Sequence, residues 1–149
     1  MKISGTGSVL PKKIVTNDMR AQFLDTSDEW IRTRTGVVSR HVISDERLED
    51  MAIEAARKAL DEAGVGADQV DHYMLHQANI RIINAIQEYL EQPKEKFPTN
   101  IEDHGNSSSS CCPILLDECK KKGLLKKGEI IAMSAFGAGF VSGAVLFEW

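Results

Sequence analysis

No apolar run in this chain approaches the length that crosses a bilayer, so no membrane-spanning helix and no membrane partner is expected. No long apolar stretch follows Met1-Lys2-Ile3-Ser4-Gly5, so no secretory leader is expected either. Positive charge is in short supply. Lys and Arg number 18 against 22 Asp and Glu, and the net charge of -4 argues against general nucleic-acid binding. Cysteine is scarce too: Cys111, Cys112 and Cys119 are 3 in all, clustered in one expected helix. An odd, clustered set makes no disulfide framework, and with two of them adjacent it makes no zinc site, so no metal is expected. A reduced, cytoplasmic protein is the simple reading. What is present is ordinary for a globular domain: 42% hydrophobic and 27% charged residues over 149 positions. That length supports one domain with a real core, and not two of ordinary size.

The chain divides by pattern. Lys2 to Leu10 reads as a short strand ended by Pro11, with Gly5 and Gly7 marking close backbone approach rather than a phosphate loop. Ile14 to Ile43 reads as an irregular polar excursion, with Trp30 as the packed residue that anchors it. Asp45 to Ala63 is the clearest helix. Leu48, Met51, Ala52, Ala55, Ala59, Leu60 and Ala63 keep i, i+3, i+4 spacing, Asp45 and Glu46 suit its start, and Gly64 suits its end. So many alanines imply close packing against a sheet. A strand over 72–76, a helix over 80–91 capped by Asn79, a short strand near Phe97–Ile101 and a helix over 107–122 follow. Strands over 129–135 and 140–149 close the chain through Gly137-Ala138-Gly139. In the helix over 107–122, Cys112 and Cys119 read as small core hydrophobes, and Cys111 stays open between core and chemistry.

Two positions stand out chemically. His76 falls at the carboxyl end of an apolar strand, where open α/β sheets place their ligands. Asn106 precedes a serine run that looks like a helix start. An imidazole and a carboxamide held at such ends can both donate hydrogen bonds to one developing oxyanion. Each residue alone reads more simply, as a core histidine and a helix cap.

The wording of these stretches resembles a known family. His76-Gln77-Ala78-Asn79-Ile80-Arg81-Ile82-Ile83, His104-Gly105-Asn106-Ser107-Ser108 and Ser134-Ala135-Phe136-Gly137-Ala138-Gly139-Phe140 are similar to the C-terminal half of the beta-ketoacyl-acyl-carrier-protein synthase III enzymes. Gly5-Thr6-Gly7-Ser8, Asp25 through Ile31 and Arg34-Thr35-Gly36 resemble their beginning. Members are about twice this long, and the absent middle would carry the nucleophilic cysteine. The resemblance implies an α/β fold. It would be one thiolase-like half over 1–149, a five-stranded mixed sheet with helices on both faces in the order βαβαβαββ. Residues 1–64 would resemble the start of the N-terminal repeat, and 72–149 the C-terminal repeat.

The resemblance also implies roles. His76 and Asn106 would be catalytic. Gln77, Ala78, Asn79, Ile80 and Arg81 would dock an acyl carrier protein. Thr26, Trp30 and Arg34 would line a coenzyme A site, with Trp30 on the adenine. The Ala138 N–H would serve an oxyanion hole, though alanine is unfavourable if φ must be positive there. The implied activity is condensation of acyl-coenzyme A with malonyl-acyl carrier protein in fatty acid biosynthesis, with acyl-coenzyme A as substrate and no cofactor. The alternatives are a non-catalytic module binding acyl-coenzyme A or carrier protein, and an inactive recombined or engineered half-domain. A homodimer through helix 107–122 is also expected. At about 100° per residue, Ile114, Cys111, Leu115, Cys119, Cys112 and Leu116 cover roughly 200°, wider than one buried stripe of about 100°. That leaves Cys111 and Ile114 facing outward in a monomer.

Overall fold

The computed structural model of the chain describes residues 1–149. In chain order the elements are β1 (Lys2–Val9), β2 (Lys13–Thr16), α1 (Asn17–Ala21), α2 (Asp28–Thr35), β3 (Ser39–Val42) and α3 (Leu48–Ala63). Then come β4 (His72–Leu75), α4 (Ile80–Leu90), α5 (Ile101–His104), α6 (Cys111–Lys121), β5 (Ile130–Phe136) and β6 (Ser142–Glu148). The main sheet is 4-stranded in the order β1-β6-β5-β4. β6 runs antiparallel to both of its neighbours, and β4 and β5 are parallel, so the sheet is mixed.

Strand alternation sorts the apolar residues onto two faces. Tyr73, Leu75 and Leu146 face one way and form a core with Ala59 of α3, Ile83 of α4, Val70 and Phe97. Met74, Ile131 and Phe147 face the other way and meet Leu115 and Cys119 of α6. Helices therefore cover both faces, as expected for a buried parallel pair.

The tightest packing is between β1 and α3. A Cβ on Gly5 would lie 2.2 Å from the Ala59 carbonyl oxygen, and one on Gly7 would lie 2.0 Å from that of Ala55. Ala55 and Ala59 are both 0% exposed. The glycines and the alanine stripe thus form one seam in which helix backbone rests on strand backbone.

Several expected elements come out differently. The sheet has four strands rather than five. The missing one is the strand expected near Phe97–Ile101. There the chain makes a 3-10 turn over Lys94–Lys96, then an extended step into α5. Pro93 and Pro98 offer no backbone donors, and the Phe97 ring stacks on Tyr73 at 4.7 Å and 8° between planes. The segment therefore crosses the face of the sheet instead of pairing with the edge of β4.

α3 starts at Leu48, later than the residue-45 start expected. The Glu46 carboxylate is turned away from it and accepts N–H bonds from Lys12 at 2.8 Å and Ser44 at 3.0 Å. Those backbone donors hold its carboxyl down at about 2, well below the ordinary carboxylate range.

The excursion 14–43 is ordered rather than irregular. β2 and β3 form their own antiparallel pair, with α1 and α2 between them. Its centre is Asn17, only 1% exposed. The Asn17 amide donates to Asp28 at 2.7 Å and to the Val37 carbonyl at 2.8 Å, while its oxygen accepts from Arg40 at 2.6 Å. One carboxamide thereby ties β2, α2 and β3 together. The Asn17 hydrogen bond, with the Arg32 guanidinium beside it, holds the Asp28 carboxyl below its usual value.

Two stability changes are expected. Gly7→Val forces a side chain into the β1–α3 seam and should cost about 1–3 kcal/mol in urea unfolding. Asn17→Leu leaves the Val37 carbonyl and the Arg40 guanidinium short of partners. It should cost roughly as much, with the loss showing first as protease cleavage between residues 17 and 40.

Candidate functional site

β4 delivers His76 to the edge of the sheet. The His76 N–H donates to the Ser134 carbonyl at 2.8 Å, which continues the β4–β5 pairing one residue past Leu75. The imidazole is partly buried and meets the Phe136 ring edge-on, with centroids 5.1 Å apart. Burial lowers its pKa below the ordinary 6.5, so the ring is neutral at pH 7.

The nearest polar neighbour of the imidazole is a sulfur. Cys111, the first residue of α6, places Sγ 2.8 Å from His76 Nδ1. The Gln77 N–H approaches the same sulfur at 3.4 Å. Cys111 is 2% exposed and so does not face outward, contrary to the expectation behind the homodimer. The α-helix begins at residue 111, after a 3-10 turn over Ser108–Ser110, and Cys111 shares the inward stripe of Leu115 and Cys119. The i, i+4, i+8 spacing of those three residues carried that signal.

The other two sulfurs have different surroundings. Cys112 lies 3.8 Å from Cys111 between sulfurs and points toward the Met74 carbonyl at 3.9 Å. Burial, with the neighbouring Cys111 second, pushes its thiol up to about 12. Burial raises Cys119 as well. Both behave as core residues, in line with the sequence.

Asn106 is exposed, and its side-chain oxygen accepts the Ser108 N–H at 3.0 Å. No hydrogen bond joins it to His76. Gln77 proves to be interior rather than surface. It is 0% exposed, its amide donates to the Leu75 carbonyl at 2.9 Å, and its oxygen accepts the Asn100 N–H at 3.2 Å. Ala78 is half-buried behind it, whereas Asn79, Ile80 and Arg81 are exposed at the start of α4. The Asn79 oxygen caps that helix by accepting the Arg81 N–H at 2.9 Å.

Ala138 sits in an exposed 3-10 turn, but the left-handed residues there are Gly139 at φ 81 and Phe140 at φ 59, so alanine carries no strain. Gly139 is needed for room as well, since a Cβ would lie 2.5 Å from the His41 carbonyl oxygen of β3.

Thr26 and Trp30 share a second region. With Arg20, Leu24, Asp25, Ile31 and Arg40 they line a cleft of about 450 Å³. Trp30 is 52% exposed and so is not a packed anchor. The Arg34 guanidinium lies over its ring, 4.7 Å from the centroid, as a cation–π partner. The Thr26 hydroxyl is buried without a hydrogen-bond partner. No group of three or more His, Cys, Asp and Glu side chains is arranged to hold a metal ion, and no helix is long and apolar enough to cross a membrane.

Comparison with known proteins places this architecture. Residues 60–149 match the family described as 3-Oxoacyl-[acyl-carrier-protein (ACP)] synthase III C terminal. A beta-ketoacyl-[acyl-carrier-protein] synthase III of Trichodesmium erythraeum is 47% identical over 96 residues, covering 64% of this chain and 29% of that protein. The same enzyme of Aquifex aeolicus is 46% identical over 96 residues, covering 64% and 31%. The crystal structure of a 3-oxoacyl-(acyl carrier protein) synthase III from Xanthomonas oryzae superposes with a TM-score of 0.64 at 27% identity, over 74% of this chain and 34% of that one.

The fold is a thiolase-like α/β arrangement with a mixed sheet, as the sequence led us to expect. The chain belongs to the 3-oxoacyl-acyl-carrier-protein synthase III C-terminal family. It spans under a third of the length of the curated relatives it matches, 29% of the Trichodesmium protein and 31% of the Aquifex one.

His76 ties protonation to stability. Its folded pKa lies below 6.5, so as pH falls through that value the unfolded chain binds the proton first. Folding stability should therefore drop between pH 7 and pH 5, and His76→Gln should flatten that part of the profile. Chemical denaturation at stepped pH measures it. Gln77→Ala strips partners from two buried backbone groups and should cost about 1–3 kcal/mol, far more than any exposed docking residue would.

Proposed function

We propose that this chain carries the enolate-stabilising part of a condensing site and acts on malonyl thioesters, with His76 and Asn106 as its hydrogen-bond donors. One observation carries the reading: each residue has its acceptor engaged locally and a donor left over. The Cys111 sulfur occupies His76 Nδ1, and in the tautomer in which Nδ1 accepts from the thiol the proton of the neutral ring lies on Nε2. The Ser108 N–H occupies Asn106 Oδ1, so the amide N–H groups are unspent. When malonyl thioester loses carbon dioxide, the electron pair of the broken C–C bond is delocalised onto the thioester oxygen as an enolate, which solvent then protonates on carbon. Two such donors directed at that oxygen stabilise the charge.

The finer parts of the reading follow the family. The chain is one thiolase-like half in which 1–64 correspond to the start of the N-terminal repeat and 72–149 to the C-terminal repeat. The relatives bear the name of the acyl-carrier-protein synthases, and the exposed Asn79, Ile80 and Arg81 are the surface such a carrier would meet. Gln77 and Ala78 support that surface from beneath. The cleft at Thr26 and Trp30 is the place for the adenine of coenzyme A, and Arg34 must leave the indole face to admit it. The Ala138 N–H is the third donor in the same scheme. The three free thiols suit a cytoplasmic protein of fatty acid biosynthesis. Self-association through α6 rests on Ile114, which is partly exposed; the buried Cys111 takes no part, and Leu116 packs against the core.

The test is decarboxylation of malonyl-coenzyme A by the purified chain, followed as acetyl-coenzyme A formed. His76→Ala and Asn106→Ala should each lower the rate about 10²-fold or more. Rates unchanged by both substitutions would remove these residues from the site. Light scattering behind size exclusion tests the dimer, which Ile114→Lys should dissociate.

A further inference from the structure

The structure places a thiol against the His76 imidazole. We infer that Cys111 and His76 form a cysteine–histidine pair that accepts an acyl group from a thioester, with Cys111 as the nucleophile. The inference rests on the acyl-thioester reading above and adds to it the covalent acceptor that reading lacks.

Three observations carry it. His76 Nδ1 lies 2.8 Å from Cys111 Sγ, within reach for direct proton transfer. The ring is neutral, and in the tautomer with its proton on Nε2 the Nδ1 lone pair is free to receive that proton. The sulfur also stands at the first residue of α6, where no side chain caps the helix, and the Gln77 N–H points to it at 3.4 Å. A negative charge on this sulfur is met by a backbone donor and by the positive end of an eleven-residue helix. Cys112, one residue on, has none of this: its partner is the Met74 carbonyl and its thiol is pushed up to about 12.

The step balances without an oxidant or reductant. The Cys111 S–H proton passes to His76 Nδ1, and the sulfur attacks the thioester carbonyl carbon. The carbon–sulfur bond to the leaving thiol breaks, and that thiolate takes the proton back from Nδ1. The products are an acyl-Cys111 thioester and one free thiol. His76 Nε2 stays protonated throughout, so the donor role proposed for it is preserved.

The sulfur is 2% exposed, so the probe is small: the acetyl thioester of N-acetylcysteamine, read by intact mass and peptide mapping. One acetyl group, labile to hydroxylamine, should appear on Cys111. Cys111→Ser should lose that label, Cys112→Ala and Cys119→Ala should keep it, and His76→Gln should slow it about 10²-fold, with circular dichroism confirming that each variant is folded. Absence of the acetyl group from Cys111 in the folded wild-type chain overturns the inference. So does a rate that His76→Gln leaves unchanged. Malonyl decarboxylation measured on the same samples separates the two readings. Decarboxylation without acylation overturns the Cys111 role alone, and acylation without decarboxylation overturns the His76–Asn106 role alone.

Discussion

A single buried carboxamide, that of Gln77, sets the geometry around His76. It is fully enclosed and reaches back to the Leu75 carbonyl and across to the Asn100 N–H. Its own backbone N–H turns to the Cys111 sulfur. Three stretches that share no regular secondary structure, the end of β4, the segment before α5 and the start of α6, are therefore held by one residue. His76 sits immediately before it, so the imidazole is aimed by a side chain that does no chemistry itself. A buried polar group with every partner in place locks one arrangement, because any other leaves a desolvated donor or acceptor behind.

A second constraint sets the thickness of the molecule on one side. The β1–α3 seam has no side chains to spare: the strand offers glycines at positions 5 and 7 and the helix offers alanines at 55 and 59. That close approach fixes β1 on the outer edge of the sheet. The excursion from β2 to β3 leaves from the same end. It is anchored internally by Asn17, and Gly139 meets the His41 carbonyl where β3 touches the turn between β5 and β6. Two regions of functional interest result, the half-exposed Trp30 cleft on the excursion and the enclosed His76 site at the end of β4.

Adjacent sulfurs show how far one helical step can change a residue. Cys111 and Cys112 differ by about 100° around the helix axis. One meets an imidazole and a backbone N–H; the other meets a carbonyl oxygen within the core. Identical side chains meet different partners purely by orientation.

The local periodicities determined by the sequence alone are the ones that survive folding. The alternation Tyr73-Met74-Leu75, the alanine stripe of α3 and the apolar face of α4 name the two faces of the sheet, and the order of motifs names the family. The small residues at Gly5 and Gly7 were legible as close approach because no other role suits a glycine pair in a strand. What only the tertiary structure decided are pairings between distant residues. Gln77 reads as a surface polar residue until Asn100, 23 positions away, supplies its partner. Cys111 lies 35 positions from His76, and whether it meets the imidazole depends on how α6 docks against β4. The strand expected near Phe97 was lost to the stacking of that ring on Tyr73. Periodicity is written in neighbours along the chain, so sequence carries it. A buried polar or aromatic side chain is defined by the atom it meets, and only packing brings that atom within reach.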